Sequence, residues 1–200
     1  MCGKCFLSGE KLPSRRRFIA GAAAGVAAAT GALALPLSVL AAGPPRSRSE
    51  YVLWLERADT GEQVADTFSL DGRSVYNPGY YHLCETLRDA HVAPSRGDVY
   101  ISITLIELLW GVQQALFAQG VRAPIVVHSG YRTPETNAVT EGAAYNSLHM
   151  YGRAVDFDVP GVATSDLADL CWSCPRSGGV GYYGGGWVHL DTGPHRFWTG

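Results

Sequence analysis

The sequence has no lysine after Lys11 and few charged residues of either sign. Charged residues make up 17% of the 200-residue chain. After residue 42 the chain carries 11 arginines against 17 acidic residues, a net charge of −6. Nucleic-acid binding depends on clustered basic residues, so this balance argues against a nucleic-acid partner. The 46% hydrophobic content, with 24 glycines and 11 prolines, is typical of a globular domain and excludes a coiled coil or a disordered chain.

Cysteine is too scarce to build a cysteine-only metal site. Of the five cysteines, only Cys84, Cys171 and Cys174 lie beyond the N-terminal segment. The Cys171-x-x-Cys174 pair has no second pair to complete a zinc site. It also lacks the thioredoxin-like βαβ context of a redox motif. We expect a structural disulfide or free thiols there, with at least one cysteine outside any intrachain disulfide.

Residues 1–42 have the composition of a targeting segment. Three arginines, Arg15–Arg17, precede Phe18 and Ile19, and an Ala/Gly-rich apolar stretch follows and ends in small residues. This pattern predicts a twin-arginine signal over 1–42, a linker over 43–50 and one domain over 51–200. The apolar stretch is also long enough to anchor the chain in a membrane if it is not cleaved. In both cases we expect the domain in the periplasm or cell envelope.

Beyond the linker, short apolar runs alternate with turn residues. Strands are predicted over residues 51–57, 62–70, 124–128, 153–159, 180–183 and 187–191. Helices are predicted from Asn77 to about Ala90, from about Ile103 to Gln119, from Thr133-Pro134 onward, and over about 166–174. Helices come first and antiparallel strands follow, which indicates an α+β fold with a small antiparallel sheet and packed helices.

Metal-binding residue types are concentrated around two predicted strands. In the first region, His149 precedes Gly152, which permits a sharp turn before the next strand. Asp156 and Asp158 then share one face of that strand, because side chains alternate along a strand. This arrangement places a carboxylate beside an imidazole carried by the turn.

The second region adds another imidazole. His189 and Asp191 share one face of the strand over 187–191. Two histidines and one carboxylate are the three protein ligands of a catalytic zinc site, which keeps its fourth position for water. From the residues alone, Asp156 and Asp158 remain alternative carboxylate ligands, and each histidine could instead be a hydrogen-bonded structural residue.

Two sets of motifs carry a resemblance to known families. The first reads Ser147-x-His149-x-x-Gly152-x-Ala154-x-Asp156 and then Trp187-x-His189. It resembles the zinc D-Ala-D-Ala peptidases and related peptidoglycan peptidases, whose small α+β fold is shared with hedgehog domains. The second set consists of Ser129–Asn137, Gly178–Tyr183 and Val188–Pro194, with Arg196 and Trp198 behind them. It resembles the YcbK-type murein endopeptidases over nearly the whole chain.

The resemblance implies a cofactor and a site. It implies zinc, bound by His149, Asp156 and His189. It implies that Arg132 stabilises the negative charge that develops on the substrate oxygen. Contacts that orient the substrate or the ligands are expected at Tyr131, Ser147 and Tyr183.

One position departs from the wider group of zinc peptidases. Many of them carry a catalytic Glu or Asp three residues before the last histidine, where this chain has Gly186. Asp191 is the expected proton-transfer group, because strand alternation puts it beside His189. The alternative is that Asp191 only orients a ligand or caps a turn. His195 is a weaker second choice.

The resemblance implies an enzyme that cleaves the cross-linked stem peptides of peptidoglycan. The expected bond joins two diaminopimelate residues (an L,D link), and the alternatives are a D-Ala-diaminopimelate endopeptidase or a carboxypeptidase. A non-catalytic peptidoglycan-binding module and a structural envelope protein without metal remain open. The sequence names no protein partner.

Overall fold

The computed structural model describes residues 51–92 and 99–200. The predicted signal segment (1–42) and linker (43–50) lie outside these residues. The described strands are β1 (Tyr51–Arg57), β2 (Gln63–Ser69), β3 (Ile125–Ser129), β4 (Ala154–Asp158), β5 (Gly179–Tyr183), β6 (Trp187–Asp191) and β7 (Arg196–Thr199). The described helices are α1 (Asn77–Thr86), α2 (Ile103–Ala118), α3 (Pro134–Val139), α4 (Thr164–Ser173) and a 3₁₀ helix (Leu148–Tyr151). None of the helices in these ranges is long and apolar enough to cross a bilayer.

The strands form one mixed sheet in the order β2-β1-β3-β4-β6-β5-β7. Strand β3 runs parallel to β1, and β7 runs parallel to β5, while the other neighbours are antiparallel. The prediction of mixed α and β structure is confirmed, but the small antiparallel sheet is wrong. The chain passes through α1 and α2 between β2 and β3, and such a long connection allows a parallel return beside β1. The C-terminal residues add β7, which the sequence did not predict as a strand.

Of the helix ends predicted from the sequence, the start of α3 is confirmed and the end of α1 is wrong. The predicted start of α3 is confirmed, since the Thr133 side chain accepts a hydrogen bond from the Thr136 N–H and Pro134 follows at the first helical position. Helix α1 ends at Thr86 rather than near Ala90. The Leu87 carbonyl accepts the Tyr131 N–H at 2.8 Å instead of continuing the helix. This contact fastens the end of α1 to the turn after β3.

Strand β4 divides its side chains between the core and the opposite face. Val155 and Phe157 are fully buried and pack in one cluster with Leu109 of α2 and Leu167 of α4. Burial of side chains of this size contributes about 1.5–3 kcal/mol each relative to exposure. Asp156 lies between the two apolar residues and points away from the helices, because neighbours in a strand alternate. The packed core therefore determines the register that presents Asp156 on the other face.

Candidate metal centre

The centre is built on a cross-strand pair at the middle of the sheet. Asp156 of β4 lies directly opposite His189 of β6 in the antiparallel register. Their side chains share one face, and His189 Nδ1 lies 2.8 Å from Asp156 Oδ1. Two central strands thus bring one imidazole and one carboxylate together.

His149 reaches the same point from the 3₁₀ helix. Ser147 precedes this helix and accepts a hydrogen bond from the His149 N–H at 3.4 Å. Gly152 ends it in the left-handed region at φ 60°, where a Cβ atom would lie 2.2 Å from the Tyr100 carbonyl oxygen. Only glycine satisfies both conditions without a shift of the backbone. The cap and the glycine together fix a single turn that carries His149.

The ring of His149 is held in one orientation. Its Nδ1 lies 2.6 Å from the Gly130 carbonyl oxygen, to which it donates as the protonated nitrogen. The unprotonated Nε2 then lies 3.3 Å from both Asp156 Oδ1 and His189 Nδ1. Such a backbone partner on the second nitrogen is usual for histidines that bind metals, because it fixes the tautomer and the ring plane.

These contacts converge on one point. The ligand atoms of His149, Asp156 and His189 all lie within 4.8 Å of one another, and the three residues are largely withdrawn from solvent. Two imidazole nitrogens and one carboxylate oxygen form a donor set that fits zinc. Asp158, the alternative ligand considered from the sequence, is engaged elsewhere, 2.6 Å from His128. The described residues therefore offer a three-ligand site with Asp156 as its carboxylate.

Arg132 lies directly beside this site. Its guanidinium donates to Oδ2 of Asp156 and, through Nε, to the Ser129 hydroxyl at 2.7 Å. One carboxylate oxygen thus pairs with arginine, while the other faces the two histidines. Burial on its own would raise the pKa of Asp156, but the imidazoles of His149 and His189 outweigh it and lower this pKa far below its usual range. The carboxylate stays ionised, as a metal ligand must.

Asp191 lies behind His189 and not on the side of the three ligand atoms. It is fully buried, and its Oδ2 lies 3.1 Å from His189 Nε2, the nitrogen opposite to the one that faces Asp156. Its Oδ1 accepts the N–H groups of Gly179 and Gly193, each at 2.7 Å. A carboxylate enclosed in this way has no path to a substrate, so the geometry does not support the expected proton-transfer role. It supports the alternative, in which Asp191 orients a ligand.

Neighbouring charged and polar groups shift the pKa values of both Asp191 and His189. Burial would raise the pKa of Asp191, but hydrogen bonds from His189, Arg196 and the two glycine N–H groups lower it well below its usual range. Burial also opposes protonation of His189, but Asp156 and Asp191 outweigh burial and raise the His189 pKa. Arg196, which the sequence offered only as part of a motif, donates to Asp191 Oδ2 at 2.6 Å.

The three predicted substrate contacts differ in their surroundings. Ser147 is buried at the start of the 3₁₀ helix, where its hydroxyl contacts the backbone of the ligand His149. Tyr131 is partly buried and lines a pocket of about 150 Å³ together with Arg132. Tyr183 stacks on Trp187 at a ring separation of 5.5 Å, and its hydroxyl accepts from the Trp198 indole at 3.0 Å.

Tyr183 and Trp198 form an aromatic wall beside the metal centre. Trp198 lies 5.1 Å from the His189 ring, and its Nε1 reaches Tyr183. His195, the weaker proton-transfer choice, is stacked on Trp172 at 3.7 Å and bonds to the Ser177 carbonyl, so its contacts lie outside the centre. Tyr183 therefore belongs to an aromatic surface that borders the metal centre.

The three cysteines among the described residues take no part in the centre. Cys84, Cys171 and Cys174 are buried free thiols, so of the two expectations the structure has thiols and not a disulfide. Burial raises the pKa of Cys174 to about 11 and that of Cys171 well above its ordinary value. Thiols of this kind are chemically inert.

Comparisons with known proteins identify the family of this chain. Residues 46–198 match the family described as peptidoglycan L,D-endopeptidase MepK. The chain is 36% identical over 176 residues to the peptidoglycan L,D-endopeptidase MepK of Escherichia coli strain K12, an alignment that covers 85% of this chain and 91% of that protein. It is 35% identical over 181 residues to a probable peptidoglycan L,D-endopeptidase MepK of Haemophilus influenzae, covering 86% and 90% of the two chains.

A more distant relative extends the likeness to the wider group of zinc peptidases. The zinc D-Ala-D-Ala carboxypeptidase of Streptomyces albus G is 33% identical over 97 residues, which cover 46% of this chain and 36% of that protein. The resemblance predicted from the two sets of motifs is confirmed. The chain belongs to the peptidoglycan L,D-endopeptidase MepK family.

Proposed function

We propose that this chain is a zinc-dependent peptidoglycan endopeptidase that cleaves the L,D cross-link between two diaminopimelate residues. The observation that carries the proposal is the convergence of His149, Asp156 and His189, in a chain that matches the MepK family over residues 46–198. His149 Nε2, Asp156 Oδ1 and His189 Nδ1 would hold the zinc ion. A zinc ion held there would supply Lewis-acid chemistry, lowering the pKa of a bound water molecule and polarising the peptide carbonyl.

The protein's own groups prepare this chemistry. Gly130 and Asp191 each take the second nitrogen of one histidine, so both rings keep their orientation without a bound substrate. Arg132 is a fixed cation beside Asp156, and it stabilises the negative charge that develops on the carbonyl oxygen. Because these contacts are formed in advance, little reorganisation is needed during the reaction.

The substrate is expected to lie between the pocket and the aromatic wall. Tyr131 and Arg132 line the pocket, and Tyr183 lies in the wall beside Trp198 and His189. An acidic chain gives no long-range attraction to an anionic wall polymer, so recognition depends on local contacts with the stem peptide.

The substrate also determines where the protein works. Peptidoglycan lies in the cell envelope, so the domain over 51–200 acts there. We propose that residues 1–42 deliver it to the periplasm by the twin-arginine route and that residues 43–50 link signal and domain. The sequence pattern around Arg15–Arg17 supports this proposal. If the segment is not cleaved, it anchors the enzyme at the membrane.

The test uses purified full-length protein and defined cross-linked muropeptide dimers. One dimer carries a diaminopimelate-diaminopimelate link, and another carries a D-Ala-diaminopimelate link. We expect conversion of the first to monomers, loss of activity with a chelator and recovery with zinc, as followed by mass spectrometry. Cleavage of the second dimer alone, or removal of a terminal D-Ala, would assign a D,D-specific enzyme. Binding without any product at saturating zinc would indicate a binding module.

A further inference from the structure

A second histidine-carboxylate pair lies beside the metal centre and has no role in the mechanism above. His128 Nε2 lies 2.6 Å from Asp158 Oδ2, and the two side chains are 38% and 30% exposed. In the sequence, Asp158 is only an alternative metal ligand to Asp156, and no motif singles out His128. Exposed imidazole held by a carboxylate is an arrangement suited to proton transfer.

A bulge in β3 directs His128 toward the metal face. Val127 pairs with Phe157 and Ser129 pairs with Asp156, so the register shifts by one residue at His128. A bulge of this kind turns an extra side chain out of the regular alternation, and bulges are common beside active sites. The Ser129 side chain contacts Arg132 on the metal face, and the His128 ring contacts Asp158, which shares the face of Asp156.

The His128–Asp158 pair lies next to the metal ligand Asp156 along strand β4. Asp158 lies two residues after Asp156 on β4, which corresponds to about 7 Å along a strand. His128 also lines the pocket that Tyr131 and Arg132 line, and Arg132 contacts Asp156 directly. A peptide whose carbonyl lies at the metal centre and whose amine side enters this pocket passes beside His128.

Two carboxylates near the pocket are already engaged. Asp191 is enclosed behind His189. Asp89 lines the pocket, but its two oxygens accept the N–H groups of His91 and Thr133 at 2.9 and 2.7 Å. The Nε2 of His128 is taken by Asp158, whereas its Nδ1 has no hydrogen-bond partner among the described residues.

We infer that His128, oriented by Asp158, is the proton-transfer residue of this enzyme and supplies the function for which Gly186 has no side chain. The inference rests on the proposed function. As the water oxygen bonds to the carbonyl carbon, one water proton moves to His128 Nδ1. The same proton passes to the leaving nitrogen as the carbon–nitrogen bond breaks. One product ends in a carboxyl group and the other in an amine, and His128 returns to its starting state.

The first measurement needs no activity. In full-length protein labelled with ¹⁵N-histidine and kept free of metal, we expect the His128 ring to carry its neutral-state proton on Nε2. Asp158→Asn is expected to change this tautomer, whereas Asp66→Asn, in a similar pair with His82 at 2.7 Å, leaves the His128 signals unchanged. A wild-type His128 protonated on Nδ1, or one unaffected by Asp158→Asn, would overturn the inference.

The second measurement follows cleavage of the cross-linked dimer by zinc-loaded full-length protein. We expect His128→Gln to lower kcat by roughly 10²–10⁴-fold with unchanged zinc content and little change in KM, because general acid–base catalysis contributes about that factor. The matched control is His82→Gln, which removes an exposed histidine from a comparable pair far along the chain and is expected to keep wild-type activity.

A rescue experiment separates proton transfer from a structural role. We expect added imidazole to restore part of the activity of His128→Gly, since the free base can occupy the vacated space. A His128→Gln enzyme with kcat within threefold of wild type would overturn the inference, and so would loss of zinc by that variant. If the wild-type protein cleaves nothing at saturating zinc, the proposed function is wrong as well. If both the wild type and His128→Gln are active, only the inference about His128 is wrong.

Discussion

Oδ2 of Asp191 lies 3.1 Å from Nε2 of His189, so the carboxylate supports the histidine from the edge opposite to Asp156. A neutral metal-binding imidazole keeps a proton on its second nitrogen, and a buried acceptor there fixes the ring and raises its basicity. The two glycine N–H groups and Arg196 hold Asp191 in turn. The contact between Arg196 and Asp191 connects β7 to β6, so the ligand geometry depends on β7.

Asp191→Asn should therefore weaken zinc binding more than it slows the chemical step. We expect the zinc dissociation constant to rise about 10–100-fold, the usual effect of removing such a partner, with most activity regained at saturating zinc. Competition with a fluorescent chelator measures the affinity. Asp169→Asn, on the exposed side of α4, is the control and should leave the affinity unchanged. Activity that stays lost at saturating zinc, with normal affinity, would return Asp191 to the proton-transfer role.

Zinc should stabilise the fold through the same three ligands. At a free zinc concentration 100 times the dissociation constant, binding adds about 2.7 kcal/mol to the free energy of unfolding, or about 5–10 °C in Tm for a chain of this size. We expect His149→Ala to abolish this shift. His82→Ala removes an exposed histidine and should retain it. A zinc-induced rise in Tm that survives His149→Ala would place the metal elsewhere.

The convergence of three residues at the centre could be predicted from the sequence, because strand alternation and motifs with fixed spacing locate them. His149, Asp156 and His189 are brought together by the turn at Gly152 and by the β4–β6 register. Periodicity within a strand does not say which strands pair, so the parallel neighbours of β1 and β5 could not be predicted. Alternation alone also placed Asp191 on the metal face, because it says nothing about which edge of an imidazole a neighbouring carboxylate approaches.

The same limit applies to His128. A bulge breaks the two-residue period by definition, and neither His128 nor its neighbours carry a sequence signal for one. The pair with Asp158 joins residues 30 positions apart, so it becomes visible only when β3 and β4 are placed side by side.

The turn that carries His149 can be tested with two glycines. Gly152 and Gly142 both have positive φ, at 60° and 71°. A Cβ on Gly152 would meet the Tyr100 carbonyl, whereas no atom of the other described residues lies within 4 Å of a Cβ on Gly142. Gly142→Ala should cost about 1–2 kcal/mol, the strain of a left-handed residue. Gly152→Ala should cost about 1–3 kcal/mol more, the range for overpacking. Urea unfolding of the metal-free proteins measures both, and equal losses would show that the close approach to Tyr100 is not maintained in solution.

The buried thiols predict how stability changes at high pH. Burial raises the pKa of Cys174 from 9.0 to about 11, so the folded protein keeps this proton over a range in which the unfolded chain has lost it. The contribution is fully present below pH 9 and is lost as the pH rises toward 11, because the unfolded state then binds fewer protons than the folded state. We expect the free energy of unfolding to fall over this range and Cys174→Ala to reduce the slope. Cys84→Ala serves as a comparison, since burial also raises the pKa of that thiol. Denaturant unfolding at a series of pH values measures the slopes, and a Cys174→Ala slope equal to that of wild type would mean that this thiol titrates alike in both states.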